Sequence, residues 1–177
     1  IARHPLTIAA AYLTVFAYSI CLRSLLDSPK RHWDSAVALL LHAGIVTTLA
    51  LTTSLATLAF TVLIPVAFAC AIGAYLFYVQ HNFVDAKVLP HDEWNFEAAA
   101  LASSSYLELG PVGRFVTGNI GYHHVHHLNP HIPFYRLPET MSAVRPLRRQ
   151  ANTTLRIRDV LACLRLKLWD PTLERMI

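Results

Sequence analysis

Cysteine is scarce in this 177-residue sequence: Cys21, Cys70 and Cys163 stand far apart and form no Cys-x-x-Cys pair. That spacing suggests neither a disulfide framework nor a cysteine-ligated metal site, and the three read as small apolar packing residues. No internal repeat or low-complexity run is present. The first residues do not read as a secretory signal, because Arg3-His4-Pro5 leads into a long apolar stretch with no small-residue cleavage site before charges return. The chain is also short of polar surface. It is 54% hydrophobic with a mean hydropathy of +0.40, too apolar for an ordinary soluble domain of this length.

What is present in quantity is apolar sequence. Residues 6–26, 35–55 and 56–79 are three stretches that each approach the ~20 residues needed to cross a bilayer core. The first contains Arg23 and either spans or lies in the interface. The link after it, Asp27-Ser28-Pro29-Lys30-Arg31, is cationic, whereas Thr52-Thr53-Ser54 in the next link carries no charge. The positive-inside rule makes the former cytoplasmic, so the third helix exits on the cytoplasmic side near Gln80. Pro65 falls inside that third stretch, where a membrane helix can absorb a kink. The net charge is +4, and eight of the fifteen Lys and Arg follow Met141; this basic tail reads as a cytoplasmic segment facing lipid headgroups. Trp33, Trp94 and Trp169 suit interfacial anchoring.

Two regions are therefore expected: membrane helices over residues 1–80, then a cytoplasmic cap over 81–177. In the cap, residues 93–106 read as a short helix on the membrane, with Trp94, Phe96, Leu101 and Tyr106 on its apolar side, and Gly110-Pro111 breaks it. Thr117-Gly118-Asn119 offers caps for a helix running to Leu128, since Asn129 precedes Pro130 and is biased away from helical angles. Further helices are expected over 138–147 and 155–169. The fold class is all-α: a membrane bundle of two to three apolar helices followed by a helical cap that carries a histidine cluster.

Ten histidines in such a chain need a reason. Five lie in Tyr122-His123-His124-Val125-His126-His127-Leu128-Asn129-Pro130-His131, which contains the pattern H-x-x-H-H from His123. On a helix, positions three and four apart share a face, so His123, His126 and His127 project together. His126 and His127 diverge by about 100 degrees, which suits ligands shared between two neighbouring ions. Imidazole serves Fe, Zn, Cu or Ni, and a pH-sensitive solvated patch is the bland alternative. His124 points to another side and is either a supporting group or structural. His81 closes the third apolar stretch; a lone histidine there is ordinarily an interfacial or dipole-satisfying group, but it emerges on the side where the cluster must lie. Asn119, four residues before His123, could orient a ring or simply cap the helix, and Asp85, Asp92, Glu93 and Glu97 are further outer-partner candidates. His4, His32 and His42 read as structural or interfacial, while His91 and His131 stay unassigned.

At these residues the chain resembles a known family. Phe77-Tyr78-Val79-Gln80-His81-Asn82-Phe83, Glu93-Trp94-Asn95-Phe96-Glu97-Ala98-Ala99, the block from Thr117 to Pro130, and Ile132-Pro133-Phe134-Tyr135-Arg136-Leu137-Pro138-Glu139 are similar to the C-terminal half of bacterial acyl-lipid desaturases, the membrane-bound histidine-box type. The resemblance spans about residues 36–169. It implies a fatty-acid desaturase that introduces a cis double bond into an acyl chain with O2 at two irons on the cytoplasmic surface. His123, His126 and His127 then match the third histidine box and His81 the extra ligand, with Asn119 and His124 as possible outer partners. The implied substrate is a fatty acyl lipid or an acyl-CoA or acyl-ACP. The implied electron donor is of ferredoxin or cytochrome b5 type, and nucleic acid is not an expected partner. The earlier H-x-x-x-H and H-x-x-H-H boxes are absent, because His4, His32 and His42 have neither spacing, and the chain starts at Ile. The expectation is a C-terminal fragment that is incomplete for activity. The competing functions are a hydroxylase or ketolase of the same architecture and a non-catalytic membrane metal-binding protein.

Overall fold

A computed structural model describes residues 4–177; Arg3, at the head of the first apolar stretch, lies outside the described residues. Two compact units divide the chain between Tyr75 and Leu76, inside its longest helix.

The first unit is an apolar hairpin of helices. His4 caps the opening turn by accepting from the Leu6 amide at 3.2 Å, and helical chain continues through Tyr12–Arg23 to Ser24–Asp27. Tyr12–Arg23 takes the wider π winding, in which the Ser19 and Ser24 hydroxyls reach carbonyls five residues back at 2.8 and 3.3 Å. A turn over residues 28–32 reverses the chain into Trp33–Thr52. The Tyr12 hydroxyl and the His42 ring hydrogen-bond across this hairpin, with Phe16 edge-on to the same ring. This meets the requirement that a polar ring in an apolar setting have a partner.

Trp33–Thr52 and Leu55–His81, of 20 and 27 residues, are long and apolar enough to cross a membrane, and only 6% of the most apolar window of each is buried. A soluble core helix would hide such a surface. Here Leu40, Leu51, Phe60 and Phe68 stay largely exposed, an apolar surface that calls for a cover of lipid or of further protein. The longer helix passes Pro65 without ending. Its winding widens over Ala59–Leu63 immediately before the proline, a local adjustment of the kind that absorbs the missing N–H.

The second unit is all-helical apart from two minimal strand pairs. Its first strand, Tyr106–Glu108, pairs in parallel with Asn152–Thr154. Parallel pairing requires a long crossover, and residues 109–151 supply it. They include Pro111–Val116, the 3-10 turn Ile120–Tyr122, the histidine helix His123–Leu128 and the helix Leu137–Ala143. The core beneath is Tyr122, Val125, Leu137 and Leu147, flanked by Leu101, Tyr106, Leu128, Ile132 and Met141. The helix Ile157–Arg165 follows, and Trp169–Asp170 pairs antiparallel with Arg175–Met176.

Several expected boundaries shift for local reasons. The helix expected over 93–106 is Phe96–Ala102, because the Asn95 side chain caps it by accepting from the Ala98 amide at 2.8 Å; Tyr106 has left it for the strand. The histidine helix begins later than Thr117-Gly118-Asn119 because Gly118 and Asn119 both adopt left-handed angles (φ 58° and 59°), which no right-handed helix continues through. It ends at Leu128 as expected, with Asn129 extended before Pro130. The last expected helix stops at Arg165, and Trp169 enters a strand.

Candidate metal centre

His81 is the last residue of its helix, and its ring orientation is fixed by its backbone surroundings. Nδ1 lies 2.9 Å from the Ser103 carbonyl oxygen, just past the helix Phe96–Ala102. A carbonyl only accepts, so Nδ1 carries the proton and Nε2 presents a lone pair. The main chain around the ring is held too: the Ser105 amide donates to the Gln80 carbonyl at 3.0 Å. Buried Asn82 reaches the Tyr78 hydroxyl at 2.6 Å and the Cys163 and Leu166 carbonyls at 2.8 and 3.1 Å. Those carbonyls are among the groups a helix C-terminus leaves unmet, so the same bonds cap Ile157–Arg165 and anchor the chain beside His81.

His123 and His127 occupy one face of their helix, one turn apart. A glycine permits that helix its seat: a Cβ on Gly121 would stand 2.3 Å from the Leu107 carbonyl oxygen. Only a residue without a side chain lets the turn before His123 lie this close to the strand.

The three Nε2 atoms converge. His81 to His123 is 3.0 Å, His127 to His123 3.1 Å and His127 to His81 3.3 Å, with the rings close to perpendicular. Nitrogens that share one ion at bond lengths of ~2.0–2.1 Å stand roughly 3.0–3.4 Å apart, so this donor set fits a single metal ion. Protonation is disfavoured at two of the three. Burial first, then the neighbouring histidines, push His123 down to about 3, and burial followed by His81 and His126 lowers His127. Phe77, one turn before His81, packs on the His81 and His123 rings at 5.0 and 6.1 Å.

The remaining candidates are placed differently. His126 is exposed, with its ring stacked 5.9 Å from His123, outside the His81–His123–His127 group. It faces a groove of about 360 Å³ lined also by His123, His131, Ile120, Phe134 and Leu137. His124 is fully buried on the far side of the helix, edge-on to Tyr106 at 6.2 Å. Burial lowers it to about 4, opposed by the Leu147 and Ser105 backbone groups, which nevertheless fall short of hydrogen-bond geometry to either ring nitrogen. The Asn119 side chain makes no cap bond and donates to the Phe134 carbonyl at 3.1 Å, pinning the loop after Pro130. Asp85, Asp92, Glu93 and Glu97 are all exposed. The outer partner that sequence reasoning missed is the Ser103 carbonyl, which any residue type would have supplied.

These features define a membrane-associated, all-helical protein with a histidine cluster of metal-binding form. Residues 4–158 match the fatty acid desaturase family, and the chain belongs to it. A fatty acid desaturase of Bacillus subtilis (strain 168) is 41% identical over 100 residues, which are 56% of this chain and 28% of that relative. The chain therefore spans well under two thirds of the relative's length. No solved structure matches.

Proposed function

We propose that this chain is the metal-binding C-terminal part of a membrane fatty-acid desaturase that introduces a cis double bond into an acyl chain with O2. The observation that carries the reading is the triangle of Nε2 atoms on His81, His123 and His127, within a chain that belongs to the desaturase family. Two irons bound by the whole protein would supply the oxidant, drawn from O2 and external electrons, that removes two hydrogens from an unactivated chain.

The chain's own residues prepare for that chemistry. His81 offers its Nε2 lone pair because Ser103 holds the proton at Nδ1. Burial keeps His123 neutral at physiological pH, as a metal ligand must be. His127 completes the face, and Phe77 screens its edge from water. We assign His126 to the second ion: its ring is turned out of the triangle yet stacks on His123, the divergence expected of adjacent ligands serving two centres. His124 supports the helix from behind, and Asn119 shapes the groove in front of His126 by tethering Phe134.

In this reading residues 81–177 lie on the cytoplasmic side, following the cationic link at 27–31. The substrate is a fatty acyl lipid or an acyl-CoA or acyl-ACP thioester, and electrons come from a ferredoxin or cytochrome b5 type carrier. The test is fatty-acid methyl-ester profiling of a host expressing the complete reading frame, native or with His81→Ala. A new unsaturated product from the native frame alone supports the proposal. Hydroxylated or keto products would transfer the site to the related oxygenation chemistry, and an unchanged product profile in the variant would remove His81 from it.

A further inference from the structure

The helix Ile157–Arg165 is strongly two-sided, but the side it leaves outward is not simply polar. Its inward side holds Cys163, which is 3% exposed, and its acidic residue Asp159 is taken by the Thr154 hydroxyl. The outward side combines Ile157 and Leu161, 79% and 48% exposed, with exposed Arg158 and Arg165. Positions 157, 161, 165 and 158 fall within one ~100° sector of a 3.6-residue helix. Neither arginine forms an ion pair among the described residues. Leu155 and Leu168, 49% and 65% exposed, extend the apolar surface beyond the helix ends.

Tyr78 and Asn82 give this face a depth. They bracket His81, the last residue of the Leu55–His81 span, and both bond the carbonyls at the C-terminus of Ile157–Arg165. The Tyr78 hydroxyl lies 2.9 Å from the Cys163 oxygen, and the Asn82 amide lies 2.8 and 3.1 Å from the Cys163 and Leu166 oxygens. The helix is thus tied to the chain where a membrane span ends, at headgroup level. Amphipathic helices with apolar residues beside arginines bury about 5–10 Å into the headgroup boundary. After Met141 there are eight Lys and Arg against three acidic residues, Asp159, Asp170 and Glu174, and such an excess favours an anionic lipid surface.

The geometry points to Ile157–Arg165 as an interfacial foot that inserts Ile157 and Leu161 among acyl chains while Arg158 and Arg165 bind anionic phospholipid headgroups. This rests on reading Leu55–His81 as a membrane span, so the test reports on both. Spin labels are placed at Leu161→Cys and, separately, at Phe68→Cys in the middle of the span, in the full-length protein with its other cysteines replaced by Ala. The protein is reconstituted in phosphatidylcholine vesicles with or without phosphatidylglycerol. The expected result is a lipid-exposed label at position 68 in both vesicles. At position 161 the ratio of oxygen to water-soluble nickel-complex collisions should rise severalfold when phosphatidylglycerol is present, and Arg158→Glu with Arg165→Glu should abolish the rise. A water-exposed label at 68 overturns the span reading. A lipid-exposed label at 68 overturns this proposal alone if 161 is water-exposed in both vesicles, is shielded from both probes by protein, or responds equally to both lipids. Hydrogen exchange of residues 156–166 in the unsubstituted protein repeats the comparison: slower exchange with phosphatidylglycerol supports the foot, and equal exchange contradicts it.

Discussion

The Nδ1 of His81 lies 2.9 Å from the carbonyl oxygen of Ser103, and this one bond decides which nitrogen of His81 faces His123 and His127. Because the acceptor belongs to the main chain, its position depends on how the helix Phe96–Ala102 is held, by the Asn95 cap at its start and the Ser105–Gln80 bond beyond its end. The helix is therefore part of the candidate metal site's construction. Asn95→Ala should cost about 0.5–2 kcal/mol of stability and lower iron affinity with all four histidines intact. Melting and metal titration on one preparation check both, and unchanged affinity would show that Ser103 does not orient the ring.

Asn82→Leu removes the amide that reaches the Cys163 and Leu166 carbonyls. The Tyr78 hydroxyl still reaches both carbonyls and the Leu166 amide still donates to that of Cys163, so the loss is that of one neutral hydrogen bond, about 0.5–1.5 kcal/mol, and the thermal midpoint falls. Because Asn82 adjoins His81, bound iron should fall with it. A variant that melts normally would show the network carries no net stability.

Gly121→Ala brings a methyl to 2.3 Å from the Leu107 carbonyl oxygen. Backbone cannot rotate away as a side chain can, so the histidine helix must lift from the strand at a cost of about 1–3 kcal/mol. Gly44→Ala, with nothing within 4 Å of the added atom, should be tolerated and serves as the control. Equal melting of the two would refute the close approach.

Much of this site was legible because it depends on short-range spacing. His123 and His127 share a face at any helical geometry, and His81 stands where the apolar stretch runs out; the structure brings these three together. The end of the histidine helix at Leu128 followed from Asn129-Pro130, and the apolar runs marked the two long helices. What was not legible depends on distant chain. Nothing local marks Tyr106–Glu108 as the partner of Asn152–Thr154, so residue 106 read as helix. The outward turn of His126 depends on the packing that brings the His123–His127 side of the helix to His81, which local spacing does not mark. The Ser103 carbonyl has no signature in residue type.

Acid should destabilise the second unit in a defined window. His123 and His124 sit at about 3 and about 4 in the folded protein, below the ordinary value of 6.5. The unfolded chain therefore takes up protons first as pH drops. Their contribution is intact above about 6.5 and is lost progressively as pH falls toward 4 and then 3. The metal-free full-length protein should show a falling midpoint across that range, and His124→Leu should flatten it. An equal slope in the variant would mean His124 is not buried and neutral.

The most direct measurement is iron per protein molecule in the purified full-length protein, native against His123→Ala, with both confirmed folded. Bound iron is expected in the native protein, and most of it should be lost in the variant, since His123 lies within 3.1 Å of both other ring nitrogens of the cluster. Native-level iron in the variant, or a native protein that takes up none, would contradict a metal site at this cluster.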